Sequence, residues 1–149
     1  MILENNETQQ EFADVYEQLK VAANRTSDWK TRLAAVNDLG AWKNQQTIDL
    51  LTHRLNHDTV YAVQEAAYRR LQEWGENVQP PVRKEGELVK GLTKILVRIK
   101  KSLPADHTYN DFREKLHKMR VDIYDIYEGD KGAEFDQWLE QKWASLSTR

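Results

Sequence analysis

A phrase of this chain recurs at a spacing of 32 residues, from 34 to 66: Ala34-Ala35, Leu39 and Trp42 line up with Ala66-Ala67, Leu71 and Trp74. Both stretches carry apolar residues at helical spacing, and an Asp precedes each, at Asp28 and Asp58. A fixed period of about 20–50 residues marks stacked-repeat architectures, in which each unit is a helix pair that needs neighbours to bury its apolar face. Such a period constrains the fold strongly and the function hardly at all.

The helices can be read from the apolar spacing. A first is expected from about Thr8 to Ala23, with Phe12, Val15, Tyr16, Leu19 and Ala23 on one side. Asn24 to Asp28 breaks it and supplies a cap for a second, Trp29 to Ala41, bearing Trp29, Leu33, Val36 and Leu39. A third runs from about Gln46 to Leu55. A fourth, Val60 to Trp74, carries Val60, Val63, Ala67, Leu71 and Trp74 in one stripe, with Gly75 placed to end it in a left-handed cap.

The run from Asp28 through Arg32-Leu33-Ala34-Ala35-Val36 to Leu39-Gly40 resembles the first helix of a HEAT repeat, of the short kind found in phycobilisome-lyase-like proteins. Asp58, Val63, Ala66-Ala67 and Leu71 repeat the pattern, with Gln64 where the family's Arg would fall and Leu71-Gln72 in place of Leu39-Gly40. The resemblance covers about residues 8–75. It implies an all-α, right-handed superhelix, an Asp–Arg ladder between repeats, and a scaffolding role. The Ala pairs fit close helix approach, toward the short end of the ~8–10 Å packing range.

Pro80-Pro81 cannot continue a helix, and the 32-residue echo is lost beyond it. The expected domains are therefore a repeat region over 1–75, a connector over 76–84 and a three-helix region over 85–149. The first of these last helices spans Glu85 to Ser102, with Leu88, Leu92, Leu96 and Ile99 inward. The second starts at the N-cap Thr108 and carries Phe112, Leu116, Ile123 and Tyr127, with a break near Arg120 left open and Gly129 as its stop. Asp130 is expected to cap the last, which bears Phe135, Trp138, Leu139 and Trp143. About seven helices result. Two recognisable repeats are fewer than such arrays need, so the carboxy-terminal helices are expected to dock on the second repeat as a cap.

Composition narrows the classes of function. With 40% hydrophobic and 31% charged residues the chain is neither disordered nor membrane-spanning, and no apolar run approaches the ~18 residues of a span. Without cysteines there are no disulfides and no thiolate chemistry, which fits a reducing compartment. The stretch Met1 to Glu7 lacks both the basic and the apolar segments of a signal peptide, so a cytoplasmic location is expected. The net charge is −2: residues 1–81 hold 8 basic and 12 acidic side chains (−4), residues 82–149 hold 14 and 12 (+2).

Four constellations could carry a function. Asp49, His53 and His57 share one side of a helix and could be imagined around a metal, but no other ligand closes the shell, and a solvated polar face explains them equally. Iron enzymes built from similar repeats use His-Glu pairs, and here the four His precede Arg54, Asp58, Thr108 and Lys118. Asp122, Asp125, Glu128 and Asp130 cluster near Tyr124 and Tyr127, as carboxylates on exposed turns do without any catalytic role. No Gly-rich phosphate loop, nucleophile elbow or Cys/His pair is present, so neither enzyme activity nor a cofactor is expected. Trp42 and Trp74, at equivalent helix ends, are candidate anchors for a protein partner, with Trp42 the one suspected of exposure. The alternative is a nucleic-acid binder using Lys90, Lys94, Arg98 and Lys101, which lie within about 80° of one another if residues 85–102 are helical.

Overall fold

The computed structural model describes residues 2–147, with side chains from residue 9 onward; Met1, Thr148 and Arg149, at the ends of the expected domains, lie outside the described residues. Among the described residues the regular structure is entirely helical: α1 (Ile2–Ala23), α2 (Trp29–Asp38), α3 (Gln45–His57), α4 (Tyr61–Glu73), α5 (Leu92–Lys101), α6 (Tyr109–Met119), α7 (Val121–Lys131) and α8 (Phe135–Ser145). They fall into two compact units, Met1–Val82 and Arg83–Arg149, each with a core of its own.

In the first unit α1 pairs with α2, α3 pairs with α4, and α2 lies against α4. Val36, Leu39, Leu51, Val63, Ala67 and Leu71 are completely buried at the centre. Of each Ala pair only the second member, Ala35 or Ala67, is in this core; Ala34 is exposed and Ala66 half-buried. The caps explain the boundaries. Asp28 accepts the Thr31 N–H at the start of α2, and Thr31, by its side chain first and this N–H after it, holds the Asp28 carboxyl below the usual range; Asn44 accepts the Thr47 N–H at 2.9 Å at the start of α3. Gly75, at φ +79°, closes α4 with a Schellman pair, Glu76 N–H to Leu71 O and Gly75 N–H to Gln72 O, both 3.0 Å.

A buried ion cluster joins the two helix pairs. Arg32, only 3% exposed on α2, makes a two-pronged contact with Asp58: Nε donates to Oδ2 at 2.9 Å and Nη2 to Oδ1 at 3.1 Å. Arg54 of α3 donates to the same Oδ2 at 3.1 Å, and Asp58 Oδ1 also accepts the Val60 N–H at 2.8 Å, which fixes the entry into α4. The Asp–Arg pairing implied by the family resemblance is thus formed across the repeats. Gln64, at the position of the family's Arg, donates instead to the Asp58 carbonyl at 2.9 Å. Gly40 has its own reason: a Cβ there would stand 2.9 Å from Cδ of Arg70, which lies across the 3-10 turn (Leu39–Ala41) ending α2.

The second unit departs from the sequence expectation at three places. The helix expected from Glu85 begins only at Leu92, because Gly86 and Gly91 both take left-handed conformations, φ +79° and +76°. Leu88 and Val89 still reach the core, from an irregular segment whose Val89 N–H donates to the Tyr127 hydroxyl at 3.2 Å. The chain does break at Arg120, so the long second helix is two, α6 and α7, and the unit holds four helices. Gly129 does not stop α7, nor does Asp130 cap α8: α7 runs through both to Lys131, and the turn is made at Gly132, φ +59°, before a 3-10 segment leads into α8. Thr108 caps α6 as expected, in a reciprocal capping box with Asp111.

The cluster around Asp58 sets the first testable expectation. Removing one partner of a buried pair strands the other charge, at a cost of about 3–5 kcal/mol, whereas exposed pairs contribute about 1 kcal/mol or less. In urea titrations Asp58→Ala should lower the unfolding free energy by an amount in the first range, and Asp122→Ala, which removes the exposed partner of Arg120, by one in the second. Equal losses would show that the Arg32–Asp58 contact does not hold the repeats together.

Candidate functional site

Two grooves and an apolar patch stand out among the described residues of the first unit. Between α1 and α3 lies an open groove of about 960 Å³, lined by Lys20, Val21, Asn24, Asp49, Leu50 and His53 among others. Between α2 and α4 is a smaller one of about 410 Å³, with Leu33, Ala62 and Ala66 on its apolar part. Its rim is self-satisfied, since Arg69 pairs with Glu65 and Arg70 with Glu73. The patch belongs to α1, which leaves Phe12 57% and Val15 46% exposed. Both were expected on the inward stripe, and the structure corrects this. α1 is over twice the length of α2 (22 against 10 residues), so its amino-terminal half has no helix of the pair to cover it. Farther along α1, Tyr16 is buried and its hydroxyl meets Thr47 Oγ1 at 2.7 Å.

Trp42 belongs to this patch. Its ring packs between Phe12, at 6.0 Å edge-on, and Tyr16, at 5.3 Å, and it is half-buried. Trp74, the C-cap of α4, is half-buried too and packs on the same core. The two Trp therefore share a helix-end position, but among the described residues only Trp42 has an exposed aromatic neighbour on α1, Phe12. Nothing in the spacing of Phe12 distinguished it from Tyr16, because only the length of α2 decides which is covered.

His53 and His57 stand with ring centroids 4.7 Å apart on the exposed side of α3, and Asp49 is held by Gln45 at 2.9 Å. Among the described residues no group of three or more His, Asp or Glu is placed to hold a metal ion. The carboxylates near Tyr124 are on a helix, not on exposed turns, and are in large part engaged. Asp122 is held below the usual carboxylate range by Arg120, Asp125 is buried, and Asp130 accepts from Arg83 and Lys131.

The basic residues of the second unit divide by role. Lys100 leans inward, donating to the carbonyls of Trp143 at 2.7 Å and Leu146 at 3.1 Å, so that it caps the end of α8. Trp143 is held further by its indole N–H, which donates to His107 Nε2 at 2.9 Å. Lys94, Arg98 and Lys101 point outward from α5 and are exposed. Lys90 is exposed as well, but the late start of α5 places it in the preceding turn rather than on the helix.

Stacked antiparallel helix pairs, joined across the repeat by a buried Arg–Asp contact, define the first unit as a helical-repeat module. Residues 15–83 match the family model described as HEAT repeats, which agrees with the helical-repeat architecture of the first unit. The match ends at Arg83, where the second unit begins. The comparison with curated proteins found no match, and that with solved structures found none. No helix among the described residues is long and apolar enough to cross a membrane.

One side chain gives a pH expectation. Burial, and then the 2.9 Å hydrogen bond to Asp136, push the Tyr109 hydroxyl well above its usual value near ~10. Above pH ~10 the unfolded chain releases this proton while the folded chain keeps it, so the stability from neutral Tyr109 is complete below that pH and is lost as pH rises. Tyr109→Phe should flatten the alkaline limb of a stability–pH profile between about pH 10 and 11.5. An unchanged limb would place the alkaline loss elsewhere.

Proposed function

We propose that this protein is a non-catalytic interaction module whose first unit docks a helical segment of a partner protein along the patch of Phe12, Val15 and Trp42. HEAT repeats in general mediate protein–protein contacts, and the carrying observation is the exposure of Phe12 and Val15 on α1, beside the half-buried Trp42. A residue pair at i and i+3 on a helix forms the ridge that another helix packs against, which is how this unit builds its own interior. Aromatic anchors next to an aliphatic side chain are also the composition of interface centres. Among the described residues Trp74 has no such exposed neighbour on α1, and it lies outside the proposed patch.

The test places a photoreactive amino acid at position 15 of the full chain, with the same group at Gln10, exposed on the other side of α1, as control. A discrete crosslinked partner is expected from position 15 and not from 10. Phe12→Ala should weaken capture of that partner at least tenfold, with a stability loss of only about 1 kcal/mol from the missing contact with Trp42. Crosslinks between copies of this chain alone would make the patch a self-association surface, and equal labelling from both positions would remove the reading.

A further inference from the structure

We propose that the outer face of α5 binds the phosphate backbone of a nucleic-acid duplex. Lys94, Arg98 and Lys101 are four and three residues apart, so they fall within about 60° on the helix and follow one line about 10 Å long. All three are exposed, and none contacts a carboxylate. Arg98 is the telling member. Every other described arginine reaches a carboxylate, from Arg25 with Asp28 to Arg120 with Asp122, and among the described residues Arg98 alone does not. α5 itself contains no acidic residue, whereas α6 carries Glu114 one turn before Lys118 on its exposed side. Lys90, exposed in the turn before α5, adds a fourth unpartnered cation.

The geometry separates a duplex from other polyanions. A line of cations suits a linear backbone better than the plane of a membrane surface. The apolar face of α5, Leu92, Leu96 and Ile99, is buried in the core, so no hydrophobic anchor is free to enter lipid. α5 has no aromatic residue on which an unpaired base could stack, so the contact is to backbone and not to sequence. A net charge of −2 gives the chain no general affinity for polyanions, so binding has to be local to this face.

Fluorescence anisotropy of the full chain with a labelled 20-base-pair DNA duplex tests the proposal. Four phosphate contacts predict binding that weakens on the order of 100-fold between 50 and 200 mM salt. Lys94→Glu with Arg98→Glu should abolish binding at an unchanged melting temperature, since both side chains are exposed and unpartnered. If the charge reversal disturbs folding, Lys94→Gln with Arg98→Gln should still lower the magnitude of the salt slope by about two. The charge-matched control, Lys30→Glu with Lys43→Glu in the first unit, should bind as the unaltered chain does. No binding at 50 mM salt, or equal loss in the control, overturns the proposal. So does tighter binding to a single strand of the same length or to phosphatidylserine vesicles, which would assign the face to bases or to a membrane.

Discussion

The two-pronged contact of Arg32 with Asp58 is where the first unit depends on a single arrangement of atoms. Two guanidinium groups converge on one carboxylate out of reach of water, and the same carboxylate holds the first turn of α4. Buried charges at such a site contribute little net stability against an apolar alternative, because desolvation offsets most of their attraction. Their effect is on geometry. A forked guanidinium meets a carboxylate in one plane and at one distance, so α2 is held against the α3–α4 loop in one register, while Leu39, Leu51 and Leu71 would pack in several. The apolar core supplies the energy of stacking, and the ion cluster selects which stacking.

The same economy of partners shapes the surface. In the second unit several polar side chains find partners far along the chain: Lys100 closes α8, His107 receives the Trp143 indole, and Tyr109 donates to Asp136. Two features among the described residues stand apart from that pattern, an apolar patch on α1 and a row of cations on α5, one in each unit. An exposed Phe beside a Trp and an arginine without a carboxylate both leave stabilising contacts unmade.

Much of this architecture was legible locally. The caps at Asp28, Thr108 and Gly75 depend on atoms within three to five residues, and each forms as its sequence implies. The stripes of α4 and α5 buried Val63, Ala67 and Leu71, and Leu92, Leu96 and Ile99, as their spacing implied. Misreadings arose where the deciding term was non-local or conformational. Leu88 has the spacing of a helical stripe, yet two glycines in left-handed conformations make it irregular. Gly129 looked like a stop, but the helix continued to Lys131 and turned at Gly132, with Tyr127 of α7 and Trp138 of α8 stacked 4.8 Å apart. Phe12 looked buried because a stripe carries no information on where its covering helix ends.

The sequence by itself determined that this chain is all-helical, where most of its helices begin, and that residues 28–75 echo themselves as stacked helix pairs do. Those properties follow from hydrogen bonds and side-chain spacing within a turn or two of each residue. Only the tertiary structure decided that Arg32 is a core residue, that Phe12 is not, and that Arg98 alone among the described arginines lacks a carboxylate. Partnership and exposure are properties of pairs brought together from distant parts of the chain. A one-dimensional pattern can rank the candidates for such pairs, but it does not contain the distances that make one of them form.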